Sequence, residues 1–179
     1  TEVSDYSGFG VLCKDGDNGF ISVNVTGGTE VYTYSWTADN GFTSSEEDIS
    51  NLSAGIYTLV VTDQNNCVND STVIEITEPE GIEINYTQSN YTDFGVSCYG
   101  ASDGFIDVTI TGGTGNYNYT WTADNGFTAS TDDISNLSAG NYSLSVVDEN
   151  DCPITLDVEI TEPDPIELTS NLSSYNSYG

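Results

Sequence analysis

The four cysteines are the residues best suited to covalent chemistry. They are Cys13, Cys67, Cys98 and Cys152, and they form two pairs with the same spacing, since 67 − 13 equals 152 − 98. Neither a CxxC nor a Cys/His metal spacing is present, so zinc is not indicated. Paired cysteines suit an oxidising, extracellular setting. We expect disulfides Cys13–Cys67 and Cys98–Cys152, each contributing about 4 kcal/mol on the chain-entropy model. The alternative is two free thiols in each half.

Acidic and amide side chains beside these cysteines form a second group with chemical potential. Calcium takes six to eight oxygen ligands, and extracellular modules bind it weakly. The candidate calcium ligands are Asp15, Asp17, Asn18, Asp63, Asn65, Asp103, Asp148, Asn150 and Asp151. Asp-Gly and Asn-Gly are also turn formers, and we favour turns over calcium because only Asp103 supplies an acid in the second copy of the first loop. The same ambiguity applies to a second acidic cluster: Glu46, Glu47, Asp48, Asp132 and Asp133.

The charge balance excludes several partners. The chain carries 29 acidic residues against one Lys or Arg, for a net charge of −28. Nucleic acids and anionic membrane surfaces require cationic side chains, so neither is expected as a partner. No apolar run is long enough for direct membrane insertion. Histidine is absent, and no serine or cysteine nucleophile with a base is evident, so an enzyme is not expected.

An internal duplication sets the architecture. Residues 19–67 align with 104–152 at a constant offset of 85, and 33 of these 49 positions are identical. Repetition at a fixed period indicates tandem units. We therefore predict one repeat over 1–80, with its first strand truncated, a second over 81–165, and the start of a third over 166–179, as part of a longer array. The motif "EITEP" ends each unit, and its proline, with so few other spacers, predicts a semi-rigid rod.

Within each repeat, apolar residues alternate with polar ones over short stretches bounded by Gly and Asn turns. This pattern predicts β-strands and no helix. The predicted fold class is all-β, as tandem immunoglobulin-like (PKD- or fibronectin-III-like) β-sandwiches. Trp36 and Trp121 are the expected core tryptophans, and "LSAGxY" predicts a tyrosine corner at Tyr57 and Tyr142. In this topology the two cysteines of one repeat lie at opposite ends, so their pairing requires a chain reversal such as "NYTDFG".

The combined motif "GGTxxYxYxWT" followed by "DISNLSAGxYxLxVxDxNxC" resembles the SprB-type repeat found in very large surface adhesins of gliding Bacteroidetes. The resemblance covers nearly the whole chain, once per repeat. It implies an extracellular, secreted protein, exported by the type IX system of that phylum and displayed as a cell-surface filament. Within this resemblance, "DST" at 70–72 is similar to the O-glycosylation signal of the phylum and marks Ser71 as a candidate acceptor.

These observations predict a structural and adhesive segment of a surface filament, with no cofactor except, as an alternative, calcium. Its expected partners are neighbouring repeats of the same chain, together with surface glycans or the substratum. The alternative function is a carbohydrate-binding or calcium-dependent adhesion module. Phe20 and Phe105 decide between these: a solvent-facing aromatic platform favours glycan binding, whereas packing at a repeat junction favours a spacer.

Overall fold

The computed structural model describes residues 1–170, and these residues form strands and no helix. The strands of the first repeat are β1 (Glu2–Val3), β2 (Gly19–Ser22), β3 (Thr33–Ala38), β4 (Thr43–Ser44), β5 (Ile49–Leu52), β6 (Gly55–Thr62) and β7 (Thr72–Ile76). Those of the second are β8 (Glu83–Gln88), β9 (Gly104–Thr111), β10 (Asn118–Ala123), β11 (Thr128–Ala129), β12 (Ile134–Leu137), β13 (Gly140–Val147) and β14 (Pro153–Ile160). None of the described elements is a helix that could cross a bilayer.

Each repeat folds into two antiparallel sheets with the same strand order. The first repeat has the sheets β1-β2-β5 and β4-β3-β6-β7, and the second has β8-β9-β12 and β11-β10-β13-β14. With the seven strands of each repeat lettered A, B, C, C′, E, F and G in chain order, these are the A-B-E and C′-C-F-G sheets of a fibronectin-III-type sandwich. The prediction of tandem immunoglobulin-like sandwiches is confirmed.

Two separate hydrophobic clusters fill the sandwiches. One draws its buried residues from positions 11 to 76 and the other from positions 96 to 160. Trp36 and Trp121 are buried on the inner faces of β3 and β10. The buried Tyr57 donates its hydroxyl hydrogen to the carbonyl of Ser53 at 2.9 Å, and Tyr142 does the same to Ser138 at 2.8 Å. A bond from the hydroxyl to the backbone a few positions upstream is the arrangement of a tyrosine corner.

The predicted strand with Ile21, Val23 and Val25 on one face is shorter than its copy. Strand β2 ends at Ser22, whereas β9 runs through Thr111. The difference follows from pairing, because β8 pairs with β9 along its whole length while β1 offers β2 only Glu2 and Val3. Without partner hydrogen bonds, residues 23–25 do not form a ladder, although Val23 and Val25 pack against the core.

After its first strand, each repeat turns back on itself before the next strand begins. Tyr6 and Phe9 exchange backbone hydrogen bonds, and Tyr91 and Phe94 repeat this exchange. The loop then runs beside the "EITEP" exit segment, where the amide of Gly10 donates to the Thr77 carbonyl at 2.9 Å. The reversal predicted at "NYTDFG" is therefore present, but it places the first cysteine of each repeat at the end where the chain leaves that repeat.

Candidate functional site: the junction between the repeats

A disulfide crosses from one repeat to the other. Cys13, in the loop before β2, is bonded to Cys152, in the loop between β13 and β14, with Cα atoms 5.7 Å apart. Cys67 and Cys98 are free and exposed. The predicted pairs Cys13–Cys67 and Cys98–Cys152 are therefore wrong. The bond that forms joins cysteines at a sequence separation of 139, far longer than either predicted loop.

The reason is the direction in which the chain runs through each sandwich. The loop containing Cys13 lies at the pole where the first repeat ends, and the loop containing Cys152 lies at the pole where the second repeat begins. In a tandem array these two poles face each other. The amide Nδ2 of Asn150 donates to the Leu12 carbonyl across the same junction at 3.3 Å, and the Ser7 hydroxyl donates to Oδ1 of Asn150 at 3.3 Å.

Asp148 shapes the loop that presents Cys152. Its Oδ1 accepts the backbone amides of Asn150 and Cys152, each at 2.9 Å. Its Oδ2 accepts the amide of Thr114 at 2.9 Å and the hydroxyl of Thr114 at 3.0 Å. Asp148 is only 1% exposed. Burial alone would raise the pKa of this carboxyl group, but the hydrogen bonds from Cys152, Thr114 and Asn150 outweigh burial and lower the pKa below its ordinary value.

The linker is held on the other side of the junction. Nζ of Lys14, the single cation of the chain, pairs with Oε1 of Glu78, and the amide of Asp15 donates to Oε2 of Glu78 at 2.8 Å. The hydrogen bond from Lys14 and the amide of Asp15 lower the pKa of Glu78, and the same contact with Glu78 raises the pKa of Lys14. Pro79 is buried in the linker.

The second repeat also binds the linker directly. The amide of Gly113, in the turn before β10, donates to the carbonyl of Glu80 at 2.8 Å. Disulfide, linker and backbone contacts together join the two repeats at several neighbouring points. The junction is therefore the candidate functional site of the described residues.

The carboxylates among the candidate calcium ligands do not form a metal-binding group in the described residues. Asp15, Asp17 and Asp151 are exposed. Oδ1 of Asn18 accepts the amide of Leu12 at 3.0 Å, and Oδ1 of Asp103 accepts the amide of Ser97 at 3.0 Å. Within the described residues, no three acidic or thiol side chains form a group that could hold a metal ion. The expected convergence depended on the disulfides within each repeat, which do not form.

The remaining loop carboxylates also act as hydrogen-bond acceptors. Oδ1 and Oδ2 of Asp63 accept amides of its own repeat, with Cys67 first among those that lower its pKa and Thr29 next. Asp48 and Asp133, of the second acidic cluster, accept the amides of Val23 and Val108 at 2.9 Å. These side chains therefore bind backbone amides of their own repeat.

The remaining predicted positions are two aromatic side chains, a candidate glycosylation site and the third repeat. Phe20 and Phe105 occupy equivalent places on β2 and β9 and are 36% and 41% exposed. Each points away from the core, as the alternation predicts. Ser71 is exposed in the loop before β7. The third repeat predicted from Ile166 lies mainly in 171–179, outside the described residues.

A cavity of about 440 Å³ opens at the edge of the first repeat beside Val23 and Val25. At the equivalent place in the second repeat, Ile84 of β8 pairs with Ile110 and packs on the core. No strand of the described residues fills this place in the first repeat. The cavity is thus explained by strand pairing, and we assign no ligand to it.

Comparison with known proteins finds a family model that matches part of each repeat. The model of the SprB repeat family matches residues 11–41 and 95–126, which confirms the resemblance stated above. None of the curated proteins is significantly similar to the chain. Similar solved structures include the amphioxus IgVJ-C2 molecule, with 17% identity, 83% coverage of this chain, 98% of that chain and a TM-score of 0.37. Another is a two-domain fibronectin type III segment of chicken tenascin, with 13% identity, 88% and 96% coverage and a TM-score of 0.34.

Each matched segment contains the first cysteine of its repeat, Cys13 or Cys98, and ends in the turn after the tryptophan strand. SprB repeats belong to cell-surface proteins of the adhesin type, and such repeats are typically structural rather than catalytic modules. A disulfide fits an extracellular protein.

Proposed function

We propose that this pair of SprB repeats serves as a stiff spacer in a long adhesive filament on the cell surface. The observation that carries the proposal is the Cys13–Cys152 bond, which joins the end of one sandwich to the beginning of the next. Two domains joined only by a short linker move relative to each other by default. A covalent bond beside the linker removes most of that freedom.

Stiffness matters for a spacer because it keeps a binding tip away from the cell. The linker proline is buried, Glu78 binds Lys14, and Gly113 binds the Glu80 carbonyl, so the linker itself is part of the folded junction. The high negative charge keeps neighbouring filaments apart. Weak contacts made by many repeats would then add through multivalency rather than through one tight site.

Small-angle X-ray scattering on the chain tests this role. We expect one extended shape with little flexibility for the oxidised wild type. The double variant Cys13→Ser/Cys152→Ser should give a broader distribution of interdomain distances. Cys67→Ser/Cys98→Ser, which removes two cysteines but keeps the junction bond, is the matched control and should scatter like wild type. Equal flexibility in all three proteins would reject the spacer role.

Glycan binding is the second candidate function. It is supported by Phe20 and Phe105, which stand partly exposed at equivalent places in the two repeats, as a repeated sugar-stacking residue would. Binding of the chain to an array of surface polysaccharides, compared with the variant Phe20→Ala/Phe105→Ala, tests it. Equal binding by the two proteins would exclude these two residues as a glycan-binding site.

A further inference from the structure

Cys67 and Cys98 occupy the same positions in their repeats as the two bonded cysteines. Cys98 is the copy of Cys13 and Cys67 is the copy of Cys152, both at the repeat offset of 85 (98 − 13 and 152 − 67). Both are exposed thiols. The chain thus contains one disulfide between repeats and a free copy of each of its two cysteines. These free copies lie at the two outer ends of the pair, and we call the loop of each one a half-site.

The loop that presents Cys98 is folded like the loop that presents Cys13. The carbonyl of Cys98 accepts the amide of Ala101 at 3.0 Å, as the carbonyl of Cys13 accepts that of Gly16 at 3.0 Å. Oε2 of Glu162 accepts the amide of Gly100 at 2.7 Å, matching the contact of Glu78 with Asp15. The exit segment therefore runs beside Cys98 as it runs beside Cys13.

The loop that presents Cys67 is likewise folded like the loop that presents Cys152. Oδ1 of Asp63 accepts the amides of Asn65 and Cys67, each at 2.9 Å, and Oδ2 accepts the amide of Thr29 at 3.0 Å. These are the contacts that Asp148 makes with the equivalent amides. Each half-site is therefore already ordered before any partner arrives.

Exposure shows what is missing at the pole of Cys67. Cys152 and Thr114 are each 7% exposed, and Cys13 of the first repeat is bonded to Cys152. Their equivalents Cys67 and Thr29 are exposed, and Cys67 lines the open cavity beside Val23 and Val25. At Cys152 the chain itself shows a group that covers this cysteine, the Cys13 pole of another repeat.

We propose that Cys98 bonds to the second cysteine of a following repeat and that Cys67 bonds to the first cysteine of a preceding one. The occupant of each open half-site is another SprB repeat of the same array. Formation of each bond oxidises two thiols: with a small disulfide such as oxidised glutathione, two cysteine thiols become one protein disulfide and two glutathione thiols are released. The contact is head-to-tail, so the same contact can be made again between each repeat and the next.

The proposal has a mechanical consequence. Cys98 precedes Cys152 in the chain, so the loop closed by the next bond begins before the present loop ends. Successive disulfide loops overlap, so tension along the array has a covalent path that bypasses most of the folded strands and follows the backbone only from each second cysteine to the first cysteine of the next repeat. This rests on the proposed spacer function and deepens it, because the strands that this path bypasses cannot lengthen the filament by unfolding.

Two single variants test the pairing with the chain as it exists. Cys67→Ser keeps only the Cys98 half-site, and Cys98→Ser keeps only the Cys67 half-site. Each is equilibrated alone and in an equal mixture in a glutathione redox buffer, and dimers are resolved by mass spectrometry without reduction. In the mixture we expect the heterodimer in about tenfold excess over either homodimer, which is about five times the statistical ratio and corresponds to about 1 kcal/mol of specific docking. Random oxidation of exposed thiols gives only twice as much heterodimer as each homodimer.

A tandem chain tests the tethered arrangement. Residues 1–165 are followed directly by a second copy of 82–165, which preserves the repeat spacing. We expect Cys98 to bond to the second cysteine of the added copy while Cys13–Cys152 is retained. Either selective heterodimers or this new bond supports the proposal, and random dimers together with a free Cys98 in the tandem chain overturn it. Stiffness of the pair measured by scattering is independent of both results, so failure here is distinct from failure of the spacer role.

Discussion

Asp63 and Asp148 hold the same place in two copies of one loop, and they differ in what covers them. Each accepts backbone amides from the residues two and four positions later and from the threonine that precedes the tyrosine-rich strand, β3 or β10, of its own repeat. Asp148 is 1% exposed at the junction, whereas Asp63 is partly exposed. The internal bonds match, so the two aspartates differ in their surroundings: Ile82 and the Cys13 loop lie beside Asp148, whereas Asp63 lines the open cavity beside Val23 and Val25.

This relationship gives the first prediction. In Asp148→Asn the new NH₂ group faces either the Thr114 donors or the loop amides, so a buried donor meets donors. We expect the free energy of unfolding to fall by about 1–3 kcal/mol. Asp63→Asn makes the same change where water reaches the loop, and its loss should be clearly smaller. Urea unfolding followed by tryptophan fluorescence measures both, and equal losses would show that the burial of Asp148 does not set the cost of the change.

The junction disulfide should be a main source of stability. A bond between cysteines at a sequence separation of 139 restricts the unfolded chain strongly, and loss of a native disulfide costs about 2–5 kcal/mol. We expect Cys13→Ser/Cys152→Ser to lose an amount in this range by chemical denaturation. Cys67→Ser/Cys98→Ser, at exposed thiols, should stay within about 0.5 kcal/mol of wild type. A larger loss in the second variant than in the first would contradict the observed pairing.

Much of the fold follows from local sequence pattern. The alternation in "GFIDVTI" and "GNYSLSV" sets the buried faces of β9 and β13, and strict period-2 patterning allows no other face. The tryptophan and corner tyrosine positions follow from the same motifs. Turn chemistry accounts for "ADNGF", where Gly41 and Gly126 have φ of 89° and 87°, a region that glycine adopts without strain.

The disulfide partner could not be derived in this way. The cysteines have the same spacing in both repeats. This spacing is compatible with a bond within each repeat and equally with a bond between repeats, because both kinds of pairing can recur at the repeat offset of 85. The deciding facts are the pole at which each loop lies and the direction in which the next repeat follows. A signal was present in the repeated "EITEP", whose second glutamate binds the first-cysteine loop in each copy.

The link between Glu78 and Lys14 gives a pH prediction. The hydrogen bond from Lys14 lowers the pKa of Glu78 from its ordinary value of 4.5, so this interaction stabilises the folded state above pH 4.5 and is lost as the pH falls through the lowered pKa. We expect Glu78→Gln to melt below wild type at pH 7 and to converge with it in strong acid. Glu162→Gln is the control, since Tyr99 stands where Lys14 would be. A melting difference independent of pH would exclude the ionic contact as its cause.

Calcium should neither bind to the chain nor change its melting temperature. The oxygens of Asp63 and Asp148 already accept backbone amides, and the other candidate ligands of the described residues do not converge. We therefore expect no heat of calcium binding by calorimetry and no shift in melting temperature between millimolar calcium and chelator. A stabilisation by calcium that disappears in Asp63→Asn would show that the exposed copy of the loop binds the ion.

Disulfide mapping tests the central claim most directly. Cleavage after glutamate places the four cysteines in four different peptides, 3–30, 48–75, 84–149 and 150–159. Digestion of the oxidised monomer without reduction, followed by mass spectrometry, then reads the pairing without ambiguity. The account predicts peptide 3–30 linked to 150–159, with 48–75 and 84–149 as free thiols. Linkage of 3–30 to 48–75 and of 84–149 to 150–159 would contradict it.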